Sequence, residues 1–189
     1  MELPKTDVEV PEGKEVATLG AGCFWCTEAI FQQLRGVEKV RSGFSGGHRV
    51  SPAYKEVVTG TTGHAEVIQM IYDPTIISFE DLLEIFWTSH DPTTLNRQGG
   101  DVGPQYRSVI FYHSMEQKEI AEAFMDKLEH EKIFDSPVVT EITAFSNFYP
   151  AEDYHSNYFE LHGSEPYCQF VIKPKVEKFR KFFKDRIRS

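Results

Sequence analysis

A chain of 189 residues with 13% aromatic side chains is long enough to bury one core and too apolar to be disordered. Its formal charge of -9 argues against a general nucleic-acid binder, and no apolar run is long enough to span a bilayer. Three cysteines, an odd number, make no secreted disulfide framework, and the polar, acidic stretch MELPKTDVEVPEGKE carries no secretory signal, so a reducing, cytoplasmic setting is expected.

Residues 1–14 read as an irregular extension and 15–189 as a single domain. EVATLGAG reads as a strand running into a turn. CFWCTEAIFQQL reads as the helix that follows, with Phe24, Ala29, Ile30 and Leu34 at helical spacing and Gly36 as its stop. VEKVRSGFSGG is strand-like, and after a helical or irregular piece up to Gly60 a second strand runs from His64 to Tyr72. Ser78 caps the helix SFEDLLEIFWTSH, and the Gly-rich loop RQGGDVGPQYRS leads into the strand RSVIFYH. An S-x-x-Q box at Ser114 and Gln117 opens a helix whose apolar face is Ile120, Phe124 and Leu128. SPVVTEITAF alternates as a strand, AEDYHSNYFELH is a short helix, and a strand-like apolar run follows Cys168. From Lys175 onward Val176, Phe179, Phe183 and Ile187 share one helical face. Strands and helices interleave without repeats or linkers. The expected fold is an α+β two-layer sandwich: a mixed sheet with flanking helices, a ferredoxin-like core and a helix opening on Cys23.

The stretch GCFWC holds two of the three cysteines, with Phe24 and Trp25 between them. At the start of a helix, unpaired N–H groups and the dipole favour a Cys23 thiolate, so a reactive thiol is expected there with its pKa lowered. A buried apolar cysteine is the bland alternative. Cys26, three residues on, is spaced to meet Cys23 in a disulfide. An aromatic wall beside a nucleophile suits an apolar or sulfur-bearing substrate group. Glu66 alternates in register with Ile68, Met70 and Tyr72, and burial on that face would keep its carboxyl protonated, a proton donor. Asp101 and Tyr106 are polar groups on the Gly-rich loop, where function and turn-making are both open readings. One C-x-x-C without a second pair is a poor zinc signal, so no metal is expected. His155 either borders the site or packs a helix. The eight basic residues from Lys173 onward read as a solvated face or a contact for an acidic partner.

Taken together, GCFWC, GTTGHAEV, GGDVGPQYRS and YPAEDYH resemble the signature blocks of the peptide methionine sulfoxide reductase family, A type, in the same order over about residues 15 to 170. The resemblance implies that Cys23 is the nucleophile, that Phe24 and Trp25 hold the sulfoxide methyl, and that Glu66 is the acid. It also implies that Tyr54 and Tyr106 donate to the sulfoxide oxygen and that Asp101 organises the site. The implied reaction is reduction of the S epimer of methionine sulfoxide, free or in oxidised proteins. It passes through a Cys23 sulfenic acid and a disulfide reset by thioredoxin or a similar thiol reductant, with no cofactor and a monomer as the working unit. The chain departs from the family's pattern in having Cys26 where Gly is typical, and in lacking an irregular Gly-rich tail around its C-terminal cysteine. Two resolving candidates therefore stand. Cys168 falls where the family's first resolving cysteine would, which favours it, and Cys26 is nearer in sequence. Competing readings are a general dithiol–disulfide oxidoreductase using Cys23 and Cys26, and a non-catalytic pocket for methionine or methyl groups.

Overall fold

The computed structural model describes residues 9–188. Of the expected extension 1–14, residues 9–14 are irregular chain with a turn closed by Lys14 N–H on the Pro11 carbonyl at 3.0 Å, and residues 1–8 lie outside the described residues. The core begins with β1 (Glu15–Ala21), α1 (Phe24–Phe31), β2 (Val37–Ser45), the single turn α2 (Tyr54–Val57) and β3 (Ala65–Tyr72). It continues with α3 (Phe79–Thr88), a small hairpin of β4 (Arg97–Gln98) and β5 (Asp101–Val102), then β6 (Ser108–Tyr112) and α4 (Met115–His130). β7 (Glu141–Ala144), β8 (Tyr149–Pro150), α5 (Tyr158–His162) and α6 (Lys173–Phe182) complete it.

One six-stranded sheet has the order β7-β6-β1-β3-β2-β8. β3 is antiparallel to both β1 and β2, and β6 is antiparallel to β1, so β1-α1-β2 and β3-α3-β6 are two interlocked split βαβ units. That is the ferredoxin-like core expected, extended at one edge by antiparallel β8 and at the other by β7, whose parallel pairing with β6 makes the sheet mixed. β3 is buried along its whole length because both of its faces are covered. Ile68, Met70 and Tyr72 pack beneath Phe24, Ile30, Leu34, Leu82 and Phe86 of the helical layer. Ala65 and Val67 face Phe145 and Phe148 on the other side.

Several elements differ from expectation for local reasons. α1 ends at Phe31, and Gly36 instead turns the chain into β2 at φ 93°, where a Cβ would meet Ile77 Cγ2 at 2.7 Å. Ser114 accepts from Gln117 N–H at 3.1 Å, but the Gln117 amide does not close the box. It accepts from His113 N–H at 2.8 Å and donates to the Val16 carbonyl at 2.9 Å, tying α4 to β1. The expected helix over 151–162 is split by Asn157, which takes a left-handed φ of 54°. The apolar run after Cys168 is a π-helical turn, Cys168–Ile172, leading into α6. A strand would put Cys168, Phe170 and Ile172 on one face. Helical winding buries the first and last and leaves Phe170 82% exposed.

The C-terminal segment is pinned by basic residues in and after α6 as well as by Val176 and Phe179. Arg186 pairs with Asp81 at 3.0 Å, Arg180 donates to Gln33 Oε1 at 2.8 Å, and Arg188 N–H reaches the Gln33 carbonyl at 2.8 Å. Part of the basic set is therefore spent on intramolecular attachment of the tail to α3 and to the turn after α1.

Candidate active site

β1 leads through Gly22 to the start of α1. Gly22 has φ 89°, and a Cβ there would lie 2.7 Å from Gln98 Cγ, so only glycine fits between the strand and the β4–β5 hairpin. Cys23 follows as the N-cap of α1, in extended conformation at φ -61° and ψ 124°. Its carbonyl accepts from Cys26 N–H at 3.2 Å and from Thr27 Oγ1 at 3.3 Å, which fixes the first turn. The thiol does not have the lowered pKa expected of a helix start. Burial pushes it well above the ordinary cysteine range, with Glu66 and Cys26 adding to the rise, while Trp25 N–H and the Tyr167 hydroxyl pull the other way. Desolvation outweighs the dipole because the side chain is only 7% exposed. The direction favours the neutral thiol over the thiolate at Cys23.

Glu66 reaches the same place from the middle of the sheet. It is 1% exposed, and Oε1 accepts from Phe24 N–H at 3.2 Å, next to the thiol. Oε2 is buried without a partner. Burial raises its pKa to about 8, the Phe24 N–H opposes the rise, and Asp101 adds to it. At neutral pH the carboxyl is mostly protonated, as its register position suggested.

Tyr54, at the start of α2, and Tyr106, just before β6, both feel Glu66 and Cys23, and burial raises both phenols so that they stay neutral donors. The Phe24 ring stacks at 6.2 Å from that of Tyr54, and the Trp25 ring lies 6.1 Å from it. Phe24 is fully buried on Phe44 and acts as floor, whereas Trp25 is partly open and forms the wall. Asp101, on the hairpin, accepts from the Tyr167 hydroxyl at 2.6 Å. All seven side chains singled out around the thiol thus converge on one end of the sheet.

Four supporting residues were not legible beforehand in these roles. Tyr167 links Asp101 to Cys23. Tyr158 stacks on Trp25 at 3.8 Å with only 6° between the planes. His155, left open between bordering the site and packing, accepts from Trp25 Nε1 at 3.0 Å and so fixes the indole's rotation; its own Nε2 is buried without a partner. Glu28, buried on α1, accepts from Asn157 N–H at 2.6 Å and from Ser42 Oγ at 3.2 Å, which holds the left-handed turn that presents Tyr158. A glutamate on the buried face of an apolar helix was the available signal for that last one.

Cys26 and Cys168 are buried free thiols in the main core cluster. Among the described residues no group of three or more potential ligands is placed to hold a metal. A broad cleft between α3, α4 and α6, bordered by Trp87, Phe124, Lys175 and Phe179, is lined by none of the side chains around Cys23.

A buried thiol that shares its enclosure with a protonated carboxyl and an aromatic wall defines a thiol-dependent oxidoreductase. Comparison with known proteins makes this specific. The family model for peptide methionine sulfoxide reductase matches residues 15–187. The peptide methionine sulfoxide reductase MsrA of Saccharolobus solfataricus is 55% identical over 174 residues, covering 92% of this chain and 97% of that one. Among solved structures, reduced Mxr1 from Saccharomyces cerevisiae superposes with a TM-score of 0.78 at 32% identity, over 88% of this chain and 96% of that one. Mxr1 in complex with Trx2 superposes with a TM-score of 0.55 at 25% identity, over 80% and 90%. The chain belongs to the peptide methionine sulfoxide reductase family, enzymes that return oxidised methionine to its thioether.

Proposed function

We propose that Cys23 attacks the sulfur of a methionine S-sulfoxide while Glu66 gives its proton to the sulfoxide oxygen. One observation carries this: the Glu66 carboxyl is buried beside the thiol, with one oxygen on Phe24 N–H and the other unengaged. The sulfoxide bond is polarised, positive on sulfur and negative on oxygen, so a nucleophile and an acid must meet at adjacent atoms. As the thiol commits its lone pair, its proton replaces the one lost by Glu66. The S–O bond of the substrate breaks as the sulfur–sulfur bond forms; the released hydroxide then bonds to the Cys23 sulfur and the sulfur–sulfur bond breaks with its electron pair going to the methionine sulfur, which leaves methionine and a Cys23 sulfenic acid. The balance requires no cofactor.

Neutral Tyr54 and Tyr106 stabilise the charge growing on oxygen. Phe24 and Trp25 receive the methyl group, and Asp101 holds the site together through Tyr167. With methyl wall, oxygen donors and attack line all fixed, one epimer fits, the S form, whether free or in an oxidised protein. The sulfenic acid condenses with Cys26 or Cys168, and a thioredoxin-type dithiol resets the disulfide, a partner supported by the Mxr1–Trx2 complex. Residues 15–189 form the single catalytic domain, a reading supported by the one six-stranded sheet whose β1 leads to Cys23 and whose β3 carries Glu66. Three unpaired cysteines suit a monomer working in a reducing cytoplasm. Among the described residues no helix is long and apolar enough to cross a membrane.

General dithiol exchange through Cys23 and Cys26 leaves Glu66 and the aromatic wall without a task. The test is turnover of the S and R epimers with dithiothreitol. The parent reduces the S epimer alone, Cys23→Ser is inactive, and Glu66→Gln loses roughly a hundredfold or more in kcat, the usual scale of general acid catalysis. Undiminished turnover by Glu66→Gln would remove the carboxyl from the mechanism.

A further inference from the structure

The two phenols assigned to the sulfoxide oxygen stand on separate short pieces of chain. Tyr54 opens α2, a single helical turn, too short to persist in water without outside ties. Tyr106 ends a 3₁₀ turn, Pro104–Tyr106, which packs on β3, the strand of Glu66. A pair of oxygen donors is effective when its spacing is set before the charge develops.

One side chain spans the two pieces. Gln105 is 3% exposed, and its Nε2 donates to the Val58 carbonyl at 3.2 Å. Val58 is the C-cap of α2, and its own N–H returns to the Tyr54 carbonyl at 3.0 Å. The Val58 carbonyl is one of the acceptors that a helix end leaves open, and Gln105 supplies its donor. Two hydrogen bonds and one peptide link thus join Tyr54 to Tyr106. The far ends are fixed separately: Tyr54 N–H donates to Glu152 Oε1 at 3.0 Å, and Tyr106 N–H to the Gly103 carbonyl at 3.0 Å.

Two further observations set Gln105 apart from an ordinary buried amide. Among the described residues its Oε1 is buried with no hydrogen-bond partner. An unpaired buried carbonyl destabilises a fold, so stability does not explain this side chain. Room is also made for it: Gly103 has φ 140°, and a Cβ there would overlap the Gln105 amide.

We propose that Gln105 is the positioning residue for the oxygen-binding half of the site: its amide clamps α2 to the 104–106 turn and sets Tyr54 and Tyr106 at one spacing for the sulfoxide oxygen. This rests on the reductase reading above. Gln105 acts through the two hydroxyls and has no separate task.

The experiment is a single turnover of methionine S-sulfoxide without reductant, with methionine formation followed over a range of sulfoxide concentrations. Gln105→Met keeps the length of the side chain and removes the donor. It should lower the limiting rate about tenfold, the scale of a donor displaced and not deleted, and change the half-saturating concentration less than about twofold. In the background Tyr54→Phe with Tyr106→Phe, the same change should alter the rate less than about twofold, because the groups it positions are gone. Gln105→Glu, which puts a carboxylate oxygen against the Val58 carbonyl, should repeat both results. Urea unfolding confines the comparison to folded protein. An undiminished rate in Gln105→Met, a loss that lies in the half-saturating concentration, or a tenfold loss that persists without the two hydroxyls overturns the proposal while the parent still forms methionine. No methionine from the parent overturns the reductase reading, and this inference with it.

Discussion

Glu66 is where sequence and structure meet most directly. Its register with Ile68, Met70 and Tyr72 predicts a buried carboxyl, and burial is the main cause that raises it to about 8. The consequence for catalysis has a definite sign. The acid must be protonated to act, so kcat should hold through neutral pH and fall as pH rises through about 8, by roughly tenfold at one unit beyond. In Glu66→Gln that limb should disappear from whatever activity remains. A parent profile still rising at pH 9 would count against the assignment, and stopped kinetics from pH 6 to 9.5 decide it. The neighbouring thiol was misjudged in the opposite direction. A helix start can be read from GCFWC, but the surroundings of Cys23 include residues 43 and 144 positions away, Glu66 and Tyr167, and no local pattern reports their arrival. Tyr54 could be assigned only through the family resemblance for the same reason: nothing in SPAYKEV shows that α2 will bring a phenol to the thiol.

At the scale of elements, what was legible followed hydrophobic period and capping. α3 with Ser78, β3 and β6 lie close to where alternation and caps put them, because their faces are buried by ordinary neighbours. The elements that were not legible are set by long-range contacts. Asn157 adopts φ 54° because the Glu28 carboxylate takes its N–H at 2.6 Å, and the π-helical turn forms where Cys168 and Ile172 must both reach the core. Gly22 belongs to this second kind, joining β1 to α1 against Gln98. The substitution Gly22→Ala forces a Cβ to within 2.7 Å of the Gln98 stem in a backbone conformation at φ 89°. Its cost should be about 1–3 kcal/mol in urea unfolding. Because the strain sits one residue before the proposed nucleophile, kcat should fall even at temperatures where the variant is fully folded. Gly99→Ala, at φ 58° with no heavy atom within 4 Å of its Cβ, should lose less stability and little activity. Equal losses in the two variants would mean that the packing against Gln98 does not set the position of the thiol.

For the molecule as a whole, the same buried groups fix how stability varies with pH. His90 is enclosed between the Phe86 carbonyl at 2.6 Å and Ser108 Oγ at 2.7 Å, and burial lowers it to about 4. His113, at 2.8 Å from Thr18 Oγ1, is likewise lowered to about 4 by burial. Both are neutral in the fold and take up a proton on unfolding below 6.5, their ordinary value. Glu66 acts in reverse, since it keeps its proton in the fold up to about 8 and releases it on unfolding above 4.5. Between pH 4.5 and 6.5 the unfolded chain therefore binds two more protons at the histidines and one fewer at the carboxyl. Stability should rise with pH there, by about 1.4 kcal/mol per unit for the net proton. From 6.5 to 8 only the carboxyl still differs, and stability should fall at a similar rate. His64, also lowered by burial, strengthens the acid side, and Glu28, raised from 4.5 by burial, opposes it from pH 4.5 upward. The maximum is thus expected near pH 6.5, within the range where Glu66 still holds its proton for catalysis. Urea unfolding at pH 5, 6.5 and 8.5 should trace this dome in the parent. In Glu66→Gln the decline above 6.5 should flatten while the acid side steepens. Parallel curves for the two proteins would mean that the Glu66 carboxyl ionises freely within the fold, and that the enzyme holds no buried acid.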